Sequence, residues 1–171
     1  MYCSNCGKAV LPGAAFCSSC GRKLPNGDSI SQYFRIGSYL LGVKLPDTEG
    51  LTEFSHTEYK TLGRQFRGEK DYNAMPVTFL SRKWKLMLGT VDGQLYKIAL
   101  RQEFQKEAEA KFAADDAFLY CATALGPPTT QAVGLFTWDA CDGNIVMQMA
   151  EVDGTYALNL FLTSGCVRDF R

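Results

Sequence analysis

No stretch of this 171-residue sequence approaches the ~20 consecutive apolar residues needed to cross a bilayer. The longest candidates, Tyr39–Val43 and Tyr156–Leu162, are of strand length. The opening Met1-Tyr2-Cys3-Ser4-Asn5-Cys6 has neither the basic segment nor the apolar core of a secretory signal. A cytoplasmic protein with no membrane partner is therefore expected. Charge of one sign is missing too. Eighteen Lys and Arg balance eighteen Asp and Glu, which gives no general electrostatic pull toward nucleic acid or an anionic surface. Histidine is nearly absent. His56 stands alone, with Glu53 and Glu58 as its acidic neighbours, and without a second histidine it reads as a surface residue. There is no Gly-rich phosphate loop, nucleophile elbow or paired-carboxylate motif. The residues give no ground for catalysis, and a non-enzymatic protein is expected.

What is present is cysteine, and it is concentrated. Of seven cysteines, Cys3, Cys6, Cys17 and Cys20 fall in the first twenty residues as two Cys-x-x-Cys pairs, while Cys121, Cys141 and Cys166 are scattered. The two halves of the cluster are near-copies, Tyr2-Cys3-Ser4-Asn5-Cys6-Gly7 and Phe16-Cys17-Ser18-Ser19-Cys20-Gly21. Two residues between thiolates let both reach one ion at ~2.3 Å. The glycine after each second cysteine suits a backbone position with positive φ, from which its N–H could turn back toward a sulfur. A reducing compartment argues against disulfides, and a redox Cys-x-x-Cys would sit on a strand-to-helix turn. Four thiolates also leave no open coordination position, so the metal is expected to be one structural Zn²⁺. Ten residues separate Cys6 from Cys17, with Pro12-Gly13 as a plausible reversal of a hairpin. Tyr2, Val10, Leu11, Phe16 and Leu24 are the only sizeable apolar residues of this unit, too few to hold it without metal.

This stretch resembles the short zinc-ribbon module found at the start of many bacterial and archaeal proteins, on the match of Cys3, Cys6, Gly7, Phe16, Cys17, Cys20 and Gly21. The resemblance covers residues 1–24. It implies zinc and says little of function, because such modules occur on proteins of many kinds. The ribbon has Lys8, Arg22 and Lys23 and no acidic residue, but the four thiolates and their zinc remove most of that charge. Non-specific duplex binding rests on several phosphate contacts, which this unit does not supply.

Pro25-Asn26-Gly27-Asp28-Ser29 reads as a linker. Residues 30–171 then form a larger unit with 15 basic and 17 acidic side chains. Asp92-Gly93, Asp142-Gly143 and Asp153-Gly154 each lie between apolar runs and predict hairpins. Tyr156, Leu158, Leu160 and Leu162 alternate strictly, as a half-buried strand requires. Residues 102–125 predict a helix with Phe104, Ala108, Phe112, Leu119, Ala122 and Leu125 on its apolar face, stopped by Gly126-Pro127-Pro128. An earlier strand is expected over Tyr33–Leu45, and residues 47–70 show little periodicity. The sum is α+β: a small zinc ribbon followed by an antiparallel sheet with one main helix packed on it.

Among the remaining candidates, Cys121, Cys141 and Cys166 lack an activating histidine and read as ordinary buried cysteines. Asp139-Ala140-Cys141-Asp142-Gly143-Asn144 lacks the spacing of a calcium loop and reads as a turn. Arg82, Lys83 and Lys85 surround Trp84, for which a strand's solvent face is the simpler explanation. The expected function is a zinc-binding adaptor or regulatory module whose partner is another protein. The alternatives are a nucleic-acid-linked regulator acting through the ribbon and the Trp84 spot, or small-molecule binding by residues 30–171.

Overall fold

The computed structural model describes residues 6–9, 16–21, 30, 34–45, 47–54, 68–140 and 142–165. Among these residues, eight strands and one long helix follow in the order β1 (Thr52–Phe54), β2 (Glu69–Phe79), β3 (Arg82–Val91), β4 (Gln94–Phe104), α1 (Glu107–Leu125), β5 (Thr130–Ala132), β6 (Leu135–Ala140), β7 (Gly143–Val152) and β8 (Thr155–Ser164). They form one antiparallel sheet in the order β1-β2-β3-β4-β8-β7-β6-β5. Two four-stranded meanders are thus joined along β4 and β8, and α1 is the connection between them.

The helix lies on one face of the sheet, against β4, β6, β7 and β8. Register explains why that face is apolar. One row across the strands reads Tyr72, Leu88, Ile98, Leu162, Ile145, Trp138, and the next reads Ala74, Leu86, Leu100, Leu160, Met147, Phe136. The strict alternation of Leu158, Leu160 and Leu162 puts all three in the core. Both tryptophans are buried, and each indole N–H donates to a backbone oxygen: Trp84 to Phe79 at 2.9 Å and Trp138 to Gly126 at 3.0 Å. The second bond satisfies a carbonyl at the C-terminal end of α1, where Gly126 adopts φ 79° and its N–H donates to the Ala122 oxygen.

The helix buries a different face from the one expected. Ala110, Ala113, Ala117 and Cys121 meet the sheet, whereas Phe112 and Leu119 are exposed. Apolar residues surround α1, so spacing alone does not select a face. Small side chains win the inner one because they let the helix axis approach the sheet. Phe118 and Tyr120 flank the contact. Phe118 packs edge-on to Phe136, and Tyr120 packs edge-on to Phe34 and Phe79.

Two of the three Asp-Gly pairs form the expected two-residue hairpins, with φ of 51° and 78° at Asp92-Gly93 and 51° and 73° at Asp153-Gly154. The third hairpin exists, but its turn lies one residue earlier. Gly143 opens β7 opposite Ala140 and serves close packing, since a Cβ there would stand 2.0 Å from the Thr163 carbonyl oxygen. Gly143→Ala is expected to cost about 1–3 kcal/mol, as for other overpacked sites. Urea unfolding would measure it, and an unchanged midpoint would show that β7 and β8 separate freely at this end.

Residues 34–45 contain no strand, contrary to expectation. The apolar residues do enter the core, but through turns. Ile36 and Tyr39 exchange backbone hydrogen bonds around Gly37 at φ 59°. Gly42–Leu45 then run beside the start of β4, with Gly42 N–H donating to the Leu95 oxygen and Leu95 N–H to that of Val43. Ile30 is buried, and its N–H donates to Asp142 Oδ1 at 2.8 Å. The proposed linker, residues 25–29, lies outside the described residues.

Candidate metal centre

The two glycines that follow the second cysteine of each pair both adopt left-handed conformations, Gly7 at φ 72° and Gly21 at φ 70°. A Cβ at either would meet nothing within 4 Å, so it is the backbone angle that selects glycine. The amide bonds differ from the expected pattern. Gly21 N–H donates to the Cys17 carbonyl at 2.9 Å and closes the turn. It is Ser19 N–H that reaches the Cys17 sulfur, at 3.4 Å. A turn this tight directs its interior amide at the first sulfur and its closing amide at the first carbonyl. Ala9 and Phe16, which flank the stretch between the two turns, are both bridge residues.

These turns bring three of the four expected ligands together. The Sγ atoms of Cys6, Cys17 and Cys20 all lie within 4.8 Å of one another, and Cys6 and Cys17 are 3.6 Å apart. A disulfide would need about 2.05 Å. Tetrahedral zinc with Zn–S of ~2.3 Å requires sulfurs about 3.8 Å apart, so the donor set fits that ion. Three thiolates so close repel one another unless a cation sits among them. Cys17 is buried, while Cys6 and Cys20 are exposed. Cys3 lies outside the described residues. Phe16, counted among the few apolar residues able to support this unit, is 59% exposed instead. Phe16 therefore contributes little buried area to this unit.

The other candidates among the described residues are dispersed. Trp84 is 1% exposed, so its ring is not available to stack on a base. Its basic neighbours have acidic partners: Arg82 contacts Asp116 at 3.4 Å and Lys85 contacts Glu103 at 2.8 Å. Cys121 faces the sheet from α1, and burial pushes its thiol up to about 12, which keeps it protonated and inert. His56, Cys141 and Cys166 lie outside the described residues. A recess of 180 Å³ opens on the sheet face away from α1, lined by Asn73, Pro76, Lys85, Met87, Arg101 and Glu103. It is smaller than a typical ligand pocket, and both of its cations contact Glu103.

One polar feature had no counterpart in the sequence reading. Lys97 Nζ lies 2.8 Å from Asp71 Oδ1 and 3.6 Å from Glu69 Oε1, with side chains 14%, 4% and 1% exposed respectively. Register places Gly89 between Asp71 on β2 and Lys97 on β4. A Cβ on Gly89 would stand 2.6 Å from Lys97 Cε and 2.9 Å from Asp71 Oδ1. The lysine crosses a whole strand because that strand offers no side chain there. The Tyr96 hydroxyl donates to Glu69, and burial, followed by that hydrogen bond, pushes the phenol far up, so it stays neutral. A glycine within Leu86–Val91 and a lysine within Leu95–Leu100, both mostly apolar runs, were the available signal.

Among the described residues, no helix is long and apolar enough to cross a membrane. No curated protein and no solved structure matches the chain. One family model does, that of the zinc-ribbon domain, over residues 2–24. Its match and the thiolate cluster of Cys6, Cys17 and Cys20 agree, and this part of the chain is a zinc-ribbon domain, a zinc-binding module.

Proposed function

We propose that the chain is a non-enzymatic adaptor, cytoplasmic and reducing in setting, whose ribbon holds one structural Zn²⁺ through Cys3, Cys6, Cys17 and Cys20 and contacts another protein. The observation that carries this reading is Phe16. It stands 59% exposed immediately before the buried ligand Cys17, on a unit whose interior could have used it. An aromatic side chain exposed beside a metal-braced turn is the kind of anchor that protein interfaces concentrate their energy on. The closed thiolate set leaves no coordination position for substrate.

The test is an affinity capture from native lysate with nuclease present, using the intact chain, Phe16→Ala and Cys17→Ser/Cys20→Ser as baits. A partner is expected on the intact chain and at least about tenfold less on either variant, the range for loss of an interface anchor. Zinc content should be unchanged in Phe16→Ala. Partners that persist on both variants would move the function to residues 30–171. Partners that vanish with nuclease alone would favour the nucleic-acid-linked reading.

A further inference from the structure

The second unit carries an outward surface with its own chemistry. α1 turns Ala110, Ala113, Ala117 and Cys121 inward and two large residues, Phe112 and Leu119, outward. Phe112 and Leu119 are 63% and 66% exposed. They are seven residues apart, so after two turns they point the same way. Ala108 lies four before Phe112, Asp115 midway, and Ala122 three beyond Leu119. The spacing 4-3-4-3 is that of a coiled-coil seam, here on the face away from the sheet. Burying two such side chains in the core would have stabilised the fold, but the chain leaves Leu119 to water and covers Phe112 only in part, with the Arg82 guanidinium 5.4 Å from its ring centre.

Charge selects the occupant. The helix bears Glu107, Glu109, Asp115 and Asp116 against Lys111. Glu107 is matched by Lys111 at 2.7 Å, Glu109 by Lys106 at 3.6 Å and Asp116 by Arg82 at 3.4 Å. Asp115, in the middle of the seam, makes no ion pair among the described residues. In a second copy of α1, whether parallel or antiparallel, the seam would set Asp115 against its own twin, which like charge disfavours. An anionic membrane meets the same objection. We infer that the outer face of α1 is a docking site for a basic amphipathic helix of another protein, with apolar residues on Phe112 and Leu119 and a Lys or Arg facing Asp115.

The probe is a labelled three-heptad peptide with leucine at its seam, lysine at the central seam position and lysine flanking it, compared with the same peptide carrying glutamate at those positions. Binding to the intact zinc-loaded chain is followed by fluorescence anisotropy, with far-UV circular dichroism to confirm that each variant folds. The lysine peptide is expected to bind at least about tenfold tighter than the glutamate peptide, and to lose about tenfold or more on Phe112→Ala/Leu119→Ala. Asp115→Lys should narrow or reverse the preference between the peptides. Cys17→Ser/Cys20→Ser should bind as the intact chain does, which separates this surface from the ribbon. Equal binding to the Phe112/Leu119 double variant, an unchanged preference in Asp115→Lys, concentration-dependent dimers of the intact chain that the double variant abolishes, or capture by anionic vesicles would each overturn the inference.

Discussion

Replacing Lys97 by methionine is expected to destabilise the sheet by about 3–5 kcal/mol, the cost of removing one partner from a buried charge pair. The reason is what remains. Glu69 and Asp71 would stay inside, almost fully enclosed, without the ammonium that lies 3.6 and 2.8 Å away. Methionine keeps most of the length that crosses Gly89, so packing changes little and the lost charge dominates. Urea unfolding of the intact chain and the variant measures the difference. Glu69→Gln/Asp71→Asn on the Lys97→Met background should recover much of the loss, because no bare charge is then buried. A drop below about 1 kcal/mol would mean that water reaches the carboxylates, as at surface pairs. Lys85→Met is the internal control. Its contact with Glu103 is just as short, 2.8 Å, but Lys85 is well exposed, and a change within about 1 kcal/mol is expected.

Removing zinc is the other large perturbation. Structural zinc contributes about 10–16 kcal/mol of apparent binding free energy in small finger peptides, and nothing among the described residues of this ribbon replaces it. Phe16 faces solvent, and Cys17 is the buried ligand among those described. A strong chelator is therefore expected to unfold residues 1–24 and release one zinc per chain, as a colorimetric chelator assay would count. Amide resonances of Cys6, Gly7 and Cys17–Gly21 should collapse to unfolded shifts, while those of β2–β8 stay in place. The melting temperature of the sheet should move by less than about 2 °C, since a shift of that size corresponds to under 1 kcal/mol in a unit this large. A fall beyond about 5 °C would mean that the ribbon braces the sheet.

The ribbon was legible because metal chemistry is written locally. Two Cys-x-x-Cys-Gly repeats point to both ligand candidates and backbone angles; Cys6, Cys17 and Cys20 come together, and Gly7 and Gly21 adopt the predicted sign of φ. The hairpins at Asp92-Gly93 and Asp153-Gly154 were legible for the same reason. β2 was not. Glu69, Asp71, Asn73 and Pro76 are poor strand formers, and its turn into β3 uses Leu80 and Ser81, both at positive φ, where glycine or asparagine would have announced it. That strand is held by pairing with β3 and by the ion pair beneath it. Residues 34–45 misled in the opposite way. They carry an apolar run of strand length, but Gly37 and Gly42 bend it into turns that fill the core beside β4. The face of α1 was unreadable because alanine and phenylalanine both score as apolar, and only the closeness of the sheet decides between them.

The pairing of β4 with β8 also has a consequence for synthesis. Lys97 opposes Thr163 and Phe104 opposes Tyr156, so the central seam of the sheet joins segments more than fifty positions apart. On a ribosome adding about 5–20 residues per second, β4 leaves the exit tunnel several seconds before its partner. During that interval the first meander has an open edge along Ile98 and Leu100, in the middle of what becomes the core. The helix emerges next and can shelter that face, but it cannot cap the edge. The nascent chain is thus most exposed to strand exchange with a neighbour, or to a chaperone, between the appearance of Leu125 and that of Ser164, and β8 is the strand that ends this exposure.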